Sequence, residues 1–214
     1  MGLPNEVLSS TPVPARFAVG YRLPSSREAD YELGPVAIQD VSQGLQVQTW
    51  RARLRNDSIY LTAENTPEFK VFTGRGISDI GFTFDQNGRY LIAYVEQEVL
   101  KLYWYDTVLQ GYTSKILGTG NISPKITLDD KRPRFNLTND VVLAYVRAGK
   151  LYYRQQRDRF DVEYLLLDDV PGRLLHMGMN VQMRLQFLME AEPRSCISCT
   201  LPEGKLWAPQ PVDH

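Results

Sequence analysis

An all-β fold built from a repeated four-stranded antiparallel unit is what this sequence predicts, and three observations carry the prediction. The aromatic residues, 12 Tyr, 8 Phe and 3 Trp, mostly lie in short runs with branched or aliphatic neighbours, which is strand composition. Prolines at 4, 12, 14, 24 and 35, and again at 193, 202, 209 and 211, exclude long helices at either end. Between those ends one hairpin pattern recurs. Residues 50–61 (WRARLRNDSIYL), 92–104 (IAYVEQEVLKLYW) and 143–153 (LAYVRAGKLYY) each carry an alanine, a branched residue two positions on, a polar turn, then an aliphatic–Tyr pair.

The elements follow in order. Residues 16–23 (RFAVGYRL) predict one short strand inside an N-terminal arm that is extended or wrapped on a partner. The hairpin anchors Ala52, Ala93 and Ala144 lie 41 and 51 residues apart, and their tyrosines Tyr60, Tyr103 and Tyr152 follow at offsets of 8, 10 and 8. Asn56-Asp57-Ser58, Glu96-Gln97-Glu98 and Ala148-Gly149-Lys150 are the turns. Upstream of each hairpin lies an entry strand ending in Asp: VAIQD at 36–40, FTFD at 82–85 and ITLD at 126–129. An exit strand follows each, at 69–72 (FKVF), 112–117 (YTSKIL) and 160–166 (FDVEYLL). A partial fourth unit starts at 174–179 (LLHMGM) and continues at 183–189 (MRLQFLM). Around the latter, Val181, Met183, Leu185, Phe187 and Met189 fall at every second position, which favours a strand over a helix.

Four strands per 40–50 residues is the period of a β-propeller blade. The alternative is a β-sandwich or barrel whose hairpins resemble one another. Three and a half units leave a propeller unclosed, and closure then comes from the N-terminal arm completing the last blade or from another chain. Unclosed edges also recruit partners. The chain therefore divides into an arm at 1–35, a β body at 36–192 and a tail at 193–214.

Composition narrows the function. With 24 basic and 25 acidic residues the formal charge is −1, which argues against a nucleic-acid partner. No apolar stretch approaches a membrane span, and the N-terminal residues lack the charged and apolar regions of a secretory signal. The two histidines, His176 and His214, are not in paired metal spacing, and His176 reads as a strand residue. Cys196 and Cys199 form a lone CxxC in a Pro-flanked tail, read as an incidental pair; the rival reading is zinc completed by another subunit. Asp129-Asp130, Asp168-Asp169 and Glu190 with Glu192 read as turn chemistry rather than glycosidase pairs. Asp85-Gln86-Asn87-Gly88 reads as a tight turn with Gly88 at positive φ, not as a calcium loop. Nucleotide-binding and nucleophile motifs do not occur. The expectation is a protein without enzymatic activity, cofactor or metal.

One stretch is unevenly charged. Lys131, Arg132, Arg134, Arg147, Lys150, Arg154, Arg157 and Arg159 face only Asp140 and Asp158 between 131 and 159. Within it, Tyr152, Tyr153, Arg154, Arg157 and Arg159 have the composition protein interfaces favour and are the candidate interface residues. The competing readings are a solvated face, pairing with Asp161, Glu163, Asp168 and Asp169 just downstream, or single-stranded nucleic acid stacked on the rings.

Residues 34–48 (GPVAIQDVSQGLQVQ), 81–105 (GFTFDQNGRYLIAYVEQEVLKLYWY), 127–132 (TLDDKR) and 140–160 (DVVLAYVRAGKLYYRQQRDRF) resemble small virion proteins of tailed bacteriophages, over roughly 34–190. The resemblance implies a structural role in the tail, as adaptor, nozzle or fibre-attachment protein, made in the host cytoplasm. Its partners are then other virion tail proteins and copies of itself, and no catalytic residue is carried over. Ring-forming contacts and lacing arms suit such a role. Two alternatives stand beside it. One is a carbohydrate-binding module of a tail fibre, with Trp50, Trp104 and Trp207 as platforms, although Trp104 reads as buried. The other is an intracellular propeller-like interaction scaffold.

Overall fold

The computed structural model describes residues 7–8, 17–22, 36–40, 47–129, 140–170, 172–179 and 185–190. Sixteen strands account for nearly all of them, and the one helical element among the described residues is a 3-10 turn at Gln156–Asp158. Among the described residues no helix is long and apolar enough to cross a membrane. Cys196, Cys199, Trp207, Lys131, Arg132 and Arg134 lie outside the described residues.

The repeat appears as three antiparallel meanders. The first sheet is β3 (Val36–Asp40), β4 (Val47–Arg55), β5 (Ser58–Ala63) and β6 (Thr66–Thr73). The second is β7 (Ile77–Phe84), β8 (Tyr90–Glu96), β9 (Val99–Asp106) and β10 (Gly111–Thr119). The third is β11 (Asn121–Leu128), β12 (Val141–Arg147), β13 (Lys150–Gln155) and β14 (Glu163–Leu167). A fourth sheet pairs β15 (Leu174–Met179) with β16 (Leu185–Glu190). The arm supplies the rest: β1 (Val7–Leu8) lies parallel on β14, and β2 (Phe17–Arg22) lies parallel on β16.

The central hairpins share one turn geometry. Asn56 and Asp57, Gln97 and Glu98, and Ala148 and Gly149 all have φ between 46° and 71°. Two consecutive left-handed residues make the type I′ turn, whose twist matches that of the flanking strands. Each unit then repeats a second contact. The chain leaving it donates a backbone N–H to the second turn residue: Gly74 to Asp57 O at 2.7 Å, Gly120 to Glu98 O at 3.1 Å, Val170 to Gly149 O at 2.6 Å.

The sheets stack face to face. Entry strand packs on entry strand, β3 on β7, β7 on β11 and β11 on β15. Three apolar cores lie between four sheets. Ala52, Ile59 and Leu61 meet Ile80, Phe82, Phe84, Ile92 and Tyr94. Leu91, Ala93, Leu102 and Trp104 meet Val141, Leu143, Tyr145 and Phe160. Val142, Ala144 and Val146 meet Leu174, Met177, Leu185 and Phe187. The strands β8 and β12 therefore bury both faces, which is why LIAYV and VVLAYV read as unbroken apolar runs while β4 alternates. A two-sheet sandwich has no such doubly covered sheet. The described strands nevertheless form no closed barrel or propeller, and no comparable packing among them joins the fourth sheet to the first.

Sheet edges are managed. The outer edges of β14 and β16 carry the arm strands. β6 holds Pro67, Glu68 and Lys70, and its pairing with β5 shifts register twice. β10 holds Lys115 and shifts register between Ile116 and Gly118. Proline, charge and bulges are devices that discourage strand addition. Edge recruitment, expected from unclosed units, is thus opposed by the chain's own sequence.

Candidate partner-docking end

The ends of the stack differ. One carries the type I′ turns. At the other, the β13–β14 turn meets β7–β8 through Gln156 Nε2 to Asp85 Oδ2 at 3.4 Å and β9–β10 through Arg159 to Asp106, and aspartates organise the backbone there. Asp85 Oδ1 accepts the N–H groups of Asn87 at 2.8 Å and Arg89 at 2.9 Å, and Gly88 takes φ 70°. Asp129 Oδ1 accepts the N–H of Asp140 at 2.8 Å. Both are the turn roles expected of an Asp closing an entry strand. Asp106 Oδ1 accepts from Val108 at 2.8 Å and Leu109 at 3.3 Å, while Oδ2 takes Arg159 Nη2 at 2.8 Å. The Val108 N–H foremost, then that of Leu109 and the Arg159 guanidinium, hold the Asp106 carboxyl below its ordinary range against the opposing effect of burial.

The β9–β10 turn thus pinned presents Val108, 73% exposed, and Leu109, 67% exposed. Turn positions ordinarily take Gly, Asn, Asp or Ser, so nothing in the fold calls for two aliphatic side chains in water here. Two arginines flank the turn. Arg89 lies 3.9 Å from the centroid of the Tyr105 ring, and Arg159 lies 5.5 Å from that of Trp104. Arg159 and Phe160 both adopt left-handed backbone, φ 52° and 58°. That costs about 1–2 kcal/mol per non-glycine residue, and it turns Phe160 inward against Trp104 while Arg159 stays half-exposed. The stacked arginines are of the residue type that binding hot spots favour, and the aliphatic tip sets exposed apolar area beside them.

Of the five candidate interface residues, the structure brings only Arg157 and Arg159 to this end. Tyr152, Tyr153 and Arg154 are a correction. They lie on β13, inside the third sheet, whose faces are covered by the second and fourth sheets. Tyr152 stacks near Tyr145, and Tyr153 lies 4.9 Å from Tyr164. Arg154, 1% exposed, spends its donors internally. Nε donates to Tyr145 Oη at 2.8 Å, Nη1 to Phe160 O at 2.8 Å and Asp161 O at 3.0 Å, and Nη2 to Leu117 O at 3.2 Å and Glu163 Oε2 at 3.0 Å. Glu163, fully buried, also takes Arg147 and the Tyr145 hydroxyl. Two of the downstream carboxylates do pair with this stretch, Glu163 with Arg154 and Arg147 and Asp168 with Lys150, whereas Asp161 pairs with Lys115 outside it. Arg157 is paired to the buried Asp140, so reversing its charge sets two carboxylates together and loosens β12 as well as the surface.

Val108, Leu109 and Arg89 were not singled out by sequence reasoning. The signal was there in the turn Asp106-Thr107-Val108-Leu109-Gln110-Gly111, with apolar residues where turn chemistry expects polar ones. Sugar platforms fare worse. Trp104 is 5% exposed, and Trp50 is half-buried between Phe69 and Phe84. Tyr90, Tyr103 and Tyr112 stack on one another, Tyr90 and Tyr112 at 4.3 Å, so ring faces are occupied by rings. A shallow cavity of about 220 Å³ beside Lys115, Leu117, Arg154 and Asp161 is smaller than ordinary ligand pockets. Among the described residues no three His, Cys, Asp or Glu side chains gather in a metal-binding arrangement. No family model, curated protein or solved structure matches this chain.

Proposed function

We propose that this chain is a structural assembly component of a bacteriophage tail and binds other virion proteins through the end that carries Val108 and Leu109. The observation that supports the binding role is the exposed aliphatic pair itself, held on a pinned turn between Arg89 and Arg159. Two neighbouring apolar side chains held rigidly on one turn suit a partner that covers them. The placement in a tail rests on the sequence resemblance over residues 34–190. The internal use of Arg154 and Glu163, and the blunted β6 and β10 edges, leave this end as the surface best suited to docking.

Quantitative mass spectrometry of purified virions from a phage encoding the chain tests the reading. The parent chain is expected in particles at a few to a few dozen copies. Val108→Ser/Leu109→Ser, supplied in its place, is expected to fold with an unchanged thermal midpoint and to be lost from particles. A chain made in infected cells but missing from virions rules out the structural role. Normal incorporation of the double variant rules out this docking end.

A further inference from the structure

The outer face of the first sheet carries a second pattern. Trp50, Ala52 and Leu54 point into the core against the second sheet, so Arg51, Arg53 and Arg55 fall on the opposite face of β4. Tyr60 lies directly across from Arg53, and Lys70 across from Tyr60. Four cations thus share one sheet face; Glu68 bonds one of them, Arg55, at 2.7 Å, and the β3–β4 register places Asp40 at the far end of the same face. Among the described residues Arg51, Arg53 and Lys70 form no ion pair. An outward face is ordinarily polar with both signs mixed. In a chain whose net charge is −1, a positive excess on one face suits a partner of the opposite sign.

We propose that this face docks the acidic segment 28–32 of a second copy of the chain. Glu28, Asp30 and Glu32 alternate with Ala29 and Tyr31, as Arg51, Arg53 and Arg55 alternate with Ala52 and Leu54. Alternate residues of an extended chain lie about 6.8 Å apart on one side. Docked as a strand, 28–32 would set carboxylates at the spacing of Arg51 and Arg53, with a third beside Arg55 and Glu68, and arginine forks suit carboxylates better than point charges do. One copy donates a segment and accepts another at a different surface. The contact joins unlike surfaces, so it closes as a reciprocal pair or a ring, or runs on as an open chain. It does not involve the Val108–Leu109 end, and a chain altered there keeps it.

Sedimentation velocity of the full chain across concentration, at low and high salt, reads the contact. The parent is expected to associate reversibly and more weakly as salt rises. Arg51→Glu/Arg53→Glu and Glu28→Arg/Asp30→Arg/Glu32→Arg are each expected to weaken association by at least about tenfold. Equal mixing of the two variants, or combining both sets in one chain, restores it, because each reversed surface again meets its opposite. Variants are compared only where circular dichroism and thermal midpoint match the parent, and Arg51→Ser/Arg53→Ser replaces a charge reversal that fails this check. A parent that stays monomeric at every concentration overturns the proposal, as does association indifferent to the substitutions or not restored by combining them.

Discussion

At the scale of single residues, the buried ionic group around Glu163 is the most consequential feature outside the apolar cores. Its carboxylate is out of contact with water and takes Arg154, Arg147 and the Tyr145 hydroxyl. Burial raises the Tyr145 phenol well above its ordinary range, so it stays protonated and donates to Glu163. The arrangement belongs to the third sheet but reaches the second through Leu117 O, so it helps set how those two sheets sit. Glu163→Gln leaves Arg154 charged and poorly compensated in a dry site. It is expected to cost about 3–5 kcal/mol, read as a lower urea midpoint. Asp168→Asn removes only an exposed partner of Lys150 and is expected to change stability by less than about 1 kcal/mol. Equal effects of the two would mean that burial does not govern these pairs.

Among the elements, the entry strands position everything else. They stack as β3, β7, β11 and β15, and the most extensive of these contacts is between β7 and β11. A Cβ on Gly81 would stand 2.8 Å from Pro124 O and 3.4 Å from Ile126 Cγ2. The obstacle is backbone, which cannot rotate aside. Gly81→Val is therefore expected to force the second and third sheets apart at a cost of about 2–3 kcal/mol, measured by chemical denaturation. Gly88 differs in kind, since its φ of 70° favours glycine for conformation rather than space. The outer strands are under less demand. Register shifts in β6 and β10 cost little there and protect those edges.

For the molecule as a whole, the fourth sheet depends on the arm. Without β2 it is the single hairpin β15–β16, and an isolated hairpin is marginal in water. Deleting residues 1–22 also uncovers the edge of β14. The truncated chain is expected to lose hydrogen-exchange protection in β15 and β16 first, and to melt about 5–10 °C lower. Retained protection in those strands would show that the third core alone secures the fourth sheet. The arm therefore serves the fold of its own chain before it serves any partner.

The sequence by itself determined the strands, the turns and the repeat. Period-two patterning reports which residues face a core, and the short polar interruptions at 56–58, 96–98 and 148–150 report hairpins, because both are local consequences of backbone geometry. The entry strand at 36–40 and the partial unit at 174–179 coincide with β3 and β15 for that reason. Even the apolar β9–β10 turn was legible, as a breach of turn chemistry. Tertiary structure alone decided which side chains share a surface. Tyr152, Tyr153 and Arg154 carry an interface composition, yet β13 lies between two other sheets and they are core. Tyr-Tyr-Arg reads the same along the chain whether its strand ends a stack or lies within it. Burial depends on neighbours that arrive from distant sequence, here β10, β15 and β16, and no local pattern records their arrival.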